Sequence, residues 1–212
     1  MKPKITVIDY GLCNLFNVSN ALEYIGAEVI ITDRHEEIKK ASHLLLPGVG
    51  AFKNGMEGLN ERGLTDPIKE HIEKKRPFFG ICLGMQMMMS KSHEFGEIDG
   101  LGIIEGIVTK IPTRNSKNIS HKIPHIGWNK LIVNNNNDTH DLLKGQDDKS
   151  SMYFVHSYRV NCNNNKNIMA TTNYNDVKIT AIINKDNAYG CQFHPEKSGK
   201  NGLKILKQFI QS

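Results

Sequence analysis

The chain has 212 residues, a length that fits one domain with a substantial buried core. Hydrophobic residues make up 39% and charged residues 23%, the balance of a soluble globular protein. The net charge of +5 (27 basic against 22 acidic residues) is spread along the sequence rather than gathered on one element, which argues against a nucleic-acid binder.

The first half alternates strand and helix signals. Residues 5–8 (ITVI) form a short β-rich run ending in Asp-Tyr-Gly. Leu15, Val18, Ala21, Leu22 and Ile25 fall at helical spacing, and Gly26 supplies a stop. Residues 29–31 and 44–46 read as strands, the second closed by Pro47-Gly48. Residues 54–75 carry helical segments interrupted at Gly63, with Asp66-Pro67 as a helix start. A buried strand over 77–81 leads into a methionine-rich helix start over 83–89. Continuously apolar strands with helices between them predict an α/β fold with an open, mostly parallel central sheet covered by helices on both faces.

The second half changes character. Residues 106–110, 129–133, 153–160, 168–172, 177–183 and 189–193 all read as strands. The short gaps between some of them predict additional antiparallel pairs. A last helix over 202–210 places Leu203, Ile205, Leu206, Phe209 and Ile210 on its apolar face. Asparagine runs at 134–137 and 163–165 read as surface loops, and 112–122 as a polar connection. Without an internal repeat or a linker, residues 1–212 are expected to form a single domain. The N-terminus, MKPKITVIDYG, lacks the apolar run of a signal peptide, and no stretch is apolar enough to span a membrane. The four cysteines, Cys13, Cys82, Cys162 and Cys191, form no C-x-x-C pair, which points to reduced thiols in the cytoplasm. No metal-binding or nucleotide-phosphate motif occurs, so neither a metal nor a cofactor is expected.

The most informative segment is Phe78-Phe79-Gly80-Ile81-Cys82-Leu83-Gly84-Met85-Gln86. A buried strand runs into Gly-x-Cys-x-Gly and a helix follows, the arrangement of a nucleophile elbow with Cys in place of Ser. Such a turn holds its nucleophile in a strained conformation, and side chains at the flanking glycines would collide. It also sets the sulfur above the carboxyl ends of the strands and near a helix N-terminus, which favours thiolate. The backbone N–H of Leu83 would then face a developing oxyanion. The competing reading is a buried cysteine in an ordinary strand-to-helix turn, and the neighbouring methionines, Met85 and 87–89, read as core filler.

A thiol needs a base. Among nine histidines, His194 stands in Gly190-Cys191-Gln192-Phe193-His194-Pro195-Glu196. Pro195 pushes His194 toward extended geometry, in which residues two apart share a side, so Glu196 is placed to orient the imidazole. Cys82, His194 and Glu196 together make a triad in the functional sense; the alternative is a surface loop with an incidental His and Glu. His156 is the rival base but has no adjacent carboxylate, and reads as site lining or a core histidine. Cys191 lies mid-strand without an elbow and reads as core. The loop Leu46-Pro47-Gly48-Val49-Gly50-Ala51-Phe52 is a poor phosphate loop. It offers backbone N–H groups to an oxyanion or is a plain turn, and its own residues do not decide between these.

Taken together these segments resemble the class I glutamine amidotransferases, and among them the glutaminase subunits of imidazole glycerol phosphate synthase. The resemblance rests on Asp9-Tyr10-Gly11 with Asn14-Leu15, Pro47-Gly48-Val49-Gly50, the elbow, Pro124-His125-Ile126-Gly127-Trp128-Asn129, the 153–158 strand and His194-Pro195-Glu196-Lys197-Ser198. It implies that Cys82 attacks the side-chain amide of L-glutamine, that His194 protonates the departing ammonia, and that Val49, Gly50 and Leu83 form the oxyanion site. It further implies that Gly48, Gln86, Glu94, His156, Ser157 and Tyr158 hold the glutamine, and that the Val49 peptide reorients when the partner's substrate binds. Trp128, with Tyr153 and Lys197, would meet a (β/α)₈-barrel cyclase in a heterodimer. That partner would use the ammonia to make imidazole glycerol phosphate and AICAR. The chain departs from the pattern at Cys13, where glycine is usual, at the longer 112–122 segment and at the asparagine-rich loops. Paralogues serving a sugar amidotransferase of surface-polysaccharide synthesis share the triad, so the acceptor of the ammonia stays open. A non-catalytic partner protein would have no need of all three side chains.

Overall fold

The computed structural model describes residues 2–134, 141–144, 146 and 150–212. Of the first asparagine run, only Asn134 lies among them. Eight strands form the main sheet, in the spatial order Glu28–Thr32, Lys4–Ile8, Leu44–Leu46, Phe78–Ile81, Ala188–Cys191, Val177–Lys185, Ile168–Tyr174, Ile132–Val133. The first five run parallel, and the remaining three pair antiparallel. The expected parallel centre and antiparallel additions are both present, and the second half supplies the antiparallel strands and also the fifth parallel one, Ala188–Cys191.

Alternation along the strands divides the interior into two layers. Ile5, Val7, Leu45, Phe79 and Ile81 face one side, where Val18, Ala21 and Leu22 of the Leu15–Tyr24 helix meet Ile205, Leu206 and Phe209 of the Gly199–Phe209 helix. Ile8, Leu44, Leu46 and Phe78 face the other, against Ile38 of the His35–Lys40 helix, Phe52, Met56 and Leu59 of the Phe52–Glu61 helix, and Ile68 of the Thr65–Glu73 helix. The methionine cluster is core: Met85, Met87, Met88 and Met89 have no exposed surface.

Several boundaries differ from the sequence reading. The helix after the elbow covers only Leu83–Met87, and Met89 already begins a strand, Met89–Ser92. That strand joins Ile98–Asp99, Ile104–Lys110 and Tyr158–Cys162 in a four-stranded sheet. The single strand read over 153–160 is two, Ser151–His156 and Tyr158–Cys162. They part at Ser157 because they serve different sheets: the first pairs with His125–Lys130, the second with Ile104–Lys110. The strand read over 129–133 splits likewise between His125–Lys130 and Ile132–Val133. The His35–Lys40 helix gave no periodic signal, since only Ile38 of its six residues is buried. Among the described residues no helix is long and apolar enough to cross a membrane.

Candidate active site

Three adjacent parallel strands, Leu44–Leu46, Phe78–Ile81 and Ala188–Cys191, end at the same edge of the sheet, with Leu46 level with Gly80 and Ile81 with Cys191. Their continuations supply the loop at 47–51, Cys82, and the segment from Gln192 to Glu196. The backbone itself thus gathers the residues picked out separately along the sequence, at the carboxyl ends where open α/β sheets place their sites.

Cys82 has φ 54° and ψ −105°, a strained conformation for a residue with a side chain, and stands immediately before the Leu83–Met87 helix. Its N–H donates to the Cys191 carbonyl at 2.7 Å, which ties the elbow to the next strand. A Cβ on Gly80 would lie 2.7 Å from the carbonyl carbon of Gly84, and one on Gly84 would run into the carbonyl oxygen of Leu46. Both glycines are therefore required by the sharpness of the turn. Cys82 is 7% exposed, and that surface opens into a cavity of about 850 Å³. Leu83, Gln86, Glu94, Val155, His156, Ser157, Tyr158, Val49, Gly50 and His194 line the same cavity.

His194 Nδ1 bonds Glu196 Oε1 at 2.8 Å, with the two side chains 4% and 2% exposed. The geometry that achieves this is not the extended one expected. His194 is extended (φ −98°, ψ 97°), but Pro195–Lys197 is a 3₁₀ turn, and it folds Glu196 back under the ring. The other ring nitrogen, Nε2, is buried without a hydrogen bond of standard geometry, and so is Glu196 Oε2. Burial opposes protonation of His194, but interactions with the Cys82 thiol and the Glu196 carboxylate outweigh it and raise the imidazole above its ordinary range. The imidazole thus interacts with both a buried carboxylate and the Cys82 sulfur. His156 is the opposite case. Burial pushes it down to about 3, and its Nδ1 donates to the Tyr158 carbonyl at 2.8 Å, so it is neutral at physiological pH and unsuited to act as acid or base.

The expected oxyanion donors are engaged within the chain. Val49 N–H donates to the Leu12 carbonyl at 3.2 Å, and Leu83 N–H to the Gly48 carbonyl at 3.4 Å. The cavity is thus lined by Cys82 and His194 but has no free pair of backbone donors from Val49 and Leu83. Gly48 is not among the residues that line the main cavity. It lies off the main cavity, on a separate space of about 90 Å³ shared with Asn14, His194, Glu196 and Lys197. Glu94 reaches the site by accepting from Phe52 N–H at 2.7 Å, and burial raises its carboxyl. Trp128, 57% exposed, stands opposite Tyr153 where the His125–Lys130 and Ser151–His156 strands pair, with ring centroids 5.9 Å apart, and does not line the main cavity. Lys197 is exposed on the same side as the small cavity.

Two residues were not singled out as site residues. His125 is fully buried, with its Nδ1 3.0 Å from His156 Nε2. Gln192 is fully buried and within reach of the Cys82 sulfur. Its signal was an amide placed between Cys191 and Phe193 in an otherwise apolar run, where a buried polar group must have a partner. Among the described residues no cluster of His, Cys, Asp or Glu is arranged to hold a metal ion.

The family model for "Glutamine amidotransferase class-I" matches residues 6–212. The chain belongs to the class-I glutamine amidotransferase family. It is 47% identical over 209 residues to "Imidazole glycerol phosphate synthase subunit HisH 1" of Legionella pneumophila (strain Lens), covering 98% of each chain. It is 49% identical over 205 residues to "Imidazole glycerol phosphate synthase subunit HisH" of Caldanaerobacter subterraneus subsp. tengcongensis, covering 97% of this chain and 96% of the relative. Among solved structures, "Structure of PurLQS from Thermotoga maritima" superposes with a TM-score of 0.71 at 20% identity, over 100% of this chain and 99% of that one, a likeness of fold.

Proposed function

We propose that this amidotransferase is the glutaminase subunit of an imidazole glycerol phosphate synthase, with Cys82, His194 and Glu196 as its catalytic residues. The observation that carries the chemistry is the buried His194–Glu196 pair at 2.8 Å, facing a cavity that also holds the strained Cys82. Near-full-length identity of 47% to a subunit of that name supports the choice of synthase over a sugar amidotransferase.

In this reading the Cys82 thiolate attacks the amide carbon of glutamine, forming a C–S bond. The tetrahedral intermediate collapses by breaking the C–N bond, and His194 gives the leaving nitrogen the proton that makes it ammonia. His194 next takes a proton from water as the water attacks the thioester. The C–S bond breaks to restore the Cys82 thiolate beside the protonated His194, and the product leaves as glutamate, its new carboxyl giving the second water proton to solvent. Glu196 fixes the ring by its Nδ1 and stabilises the positive form. Gln86, Glu94, His156, Ser157 and Tyr158 border the space for the glutamine head group. Val49, Gly50 and Leu83 provide the oxyanion site once Val49 and Leu83 exchange their present acceptors for the substrate oxygen.

Trp128, Tyr153 and Lys197 form the docking face for a (β/α)₈-barrel cyclase, to which the ammonia passes. Ile126, 57% exposed on the same strand as Trp128, extends that apolar face. The setting is the cytoplasm, in keeping with four free thiols. The test is to mix the protein with a barrel cyclase and its phosphoribosyl substrate. Glutamine-dependent formation of imidazole glycerol phosphate is expected. Product formed only from added ammonium salts would reject the assignment.

A further inference from the structure

The hydrogen bonds behind Cys82 form a chain of amides whose orientation is fixed from its far end. The Tyr158 carbonyl can only accept, so the Gln86 group facing it at 3.1 Å must be Nε2. That NH₂ group also donates to Gln192 Oε1 at 3.1 Å. With its oxygen committed to Gln86, Gln192 has only its NH₂ left for the other side, where Nε2 stands 3.7 Å from Cys82 Sγ. Turning the Gln192 amide over would set NH₂ against NH₂ at one end and oxygen against sulfur at the other. The Gln192 backbone is held as well, its N–H donating to the Ala181 carbonyl at 2.9 Å. Nothing about the amide is left to solvent, since Gln192 has no exposed surface.

We infer that Gln192 is a further catalytic residue of the glutaminase reaction, a fixed N–H donor to the Cys82 sulfur. An N–H directed at sulfur favours the charged thiolate over the neutral thiol. It acts twice in the cycle, when the thiolate is formed for attack and when it is expelled from the second tetrahedral intermediate. His194 serves the same sulfur from within the cavity, but it must part with its proton to the leaving nitrogen. Gln192 has no proton to transfer, so its contribution persists while the imidazole turns over. Through Gln86, which borders the substrate space, the sulfur is also mechanically coupled to the head-group site. The inference rests on the glutaminase reading of Cys82, but its test does not need glutamine.

The experiment follows alkylation of Cys82 by iodoacetamide across pH, read by peptide mass spectrometry, in the wild type, Gln192→Met and Gln192→Glu. Burial raises the other thiols, Cys13 to about 11 and Cys162 to about 12, and Cys191 is enclosed, which keeps them out of the neutral-pH signal. The titratable groups that interact with Cys82 include His194, Tyr10 and Cys191, and both variants leave them in place. Methionine fills the space without a donor, and the midpoint of the profile is expected to rise by about one pH unit, equivalent to a roughly tenfold slower reaction below it. Glutamate keeps the acceptor for Gln86 but sets an anion against the sulfur, and a larger rise is expected. Folded variants with the wild-type profile would overturn the inference. As a check that needs no variant at position 192, the Gln192 side-chain NH₂ resonance should move on alkylation of Cys82, and an unmoved resonance would also overturn it. A wild type that shows the profile but never hydrolyses glutamine would instead reject the function while sparing the Gln192–Cys82 link.

Discussion

Replacing Glu196 by glutamine removes one negative charge while keeping an oxygen that can accept from His194 Nδ1. The pair is 2.8 Å long with both side chains almost fully buried, so water screens little of the loss. A hydrogen bond to a charged group contributes about 1.5–3 kcal/mol, against about 0.5–1.5 kcal/mol for a neutral one. The imidazolium in the transition state therefore loses about 1–2 kcal/mol in Glu196→Gln, which is roughly 5- to 30-fold in kcat. Glu196→Leu removes the acceptor as well and leaves Nδ1–H buried and unpaired. That brings the loss toward the 3–5 kcal/mol typical of breaking a buried pair, or roughly 10²- to 10³-fold and above. Glutamate release at saturating glutamine, coupled to glutamate dehydrogenase, measures both. Stability adds a second reading. Because folding raises the His194 imidazole above its unfolded value, the stability it contributes is full below the unfolded pKa and is lost as pH rises through the folded one. Glu196→Gln should accordingly cost most stability near pH 5 and converge with the wild type in alkali. A kcat for Glu196→Leu within twofold of wild type would refute the orienting role, and a stability loss that grows with pH would refute the sign.

Other outcomes are expected from the same geometry. Cys82→Ser should abolish glutamine use by the complex with its cyclase while ammonia-dependent synthesis continues; loss of both in the same assay would point to misfolding. Gly84→Ala places a Cβ against the Leu46 carbonyl and should lower stability by about 1–3 kcal/mol or more in a urea melt, whereas an unchanged midpoint would show that the elbow has room. Trp128→Ala, at a 57%-exposed ring on the proposed docking face, should weaken cyclase binding by about 2 kcal/mol in a titration, and equal affinity would remove it from that face. The isolated chain should hydrolyse glutamine slowly, because each missing oxyanion donor costs roughly 10²- to 10³-fold in kcat, and the N–H groups of Val49 and Leu83 are both engaged elsewhere. Steady-state rates with and without the liganded partner test this, and equal rates would show that neither donor limits the reaction.

What the sequence made legible was local. The elbow could be read because its glycines answer a steric demand that any strand-to-helix nucleophile turn makes, and Gly80 and Gly84 meet backbone atoms of this turn and of the neighbouring strand. The parallel strands could be read because a sheet covered on both faces needs residues such as Leu44, Leu45 and Leu46, all fully buried, on both sides. The break at Ser157 could not, since both halves of 153–160 have strand character and only the competition of two sheets for them decides where the chain turns. His194 and Glu196 were paired on the argument of alternation in an extended segment, and the chain brings the two side chains together through a 3₁₀ turn instead. Gln192 was missed because its partners, Gln86 and Cys82, lie 106 and 110 residues away, a proximity created only by the register of the Ala188–Cys191 and Phe78–Ile81 strands.

The site separates what is built rigidly from what is free to change. Cys82 is tied by its N–H to one strand and by its sulfur to Gln192, and His194 is fixed by Glu196 and by an N–H donated to the Tyr153 carbonyl at 2.9 Å. The same Tyr153 stands opposite Trp128 on the exposed pair of strands, so His194 is braced by the element proposed to meet the partner. The proposed oxyanion donors have a different kind of support. Val49 is 43% exposed in a glycine-bounded loop, and its N–H holds a loop carbonyl, that of Leu12, rather than a strand. Rotation of that peptide would release two hydrogen bonds, Val49 N–H to the Leu12 carbonyl and Leu83 N–H to the Gly48 carbonyl, and disturb no buried strand pairing, whereas moving Cys82 or His194 would break the sheet edge itself. Control of the reaction is therefore expected in the Gly48–Val49 peptide, with the thiol, imidazole and carboxylate staying in place in both states.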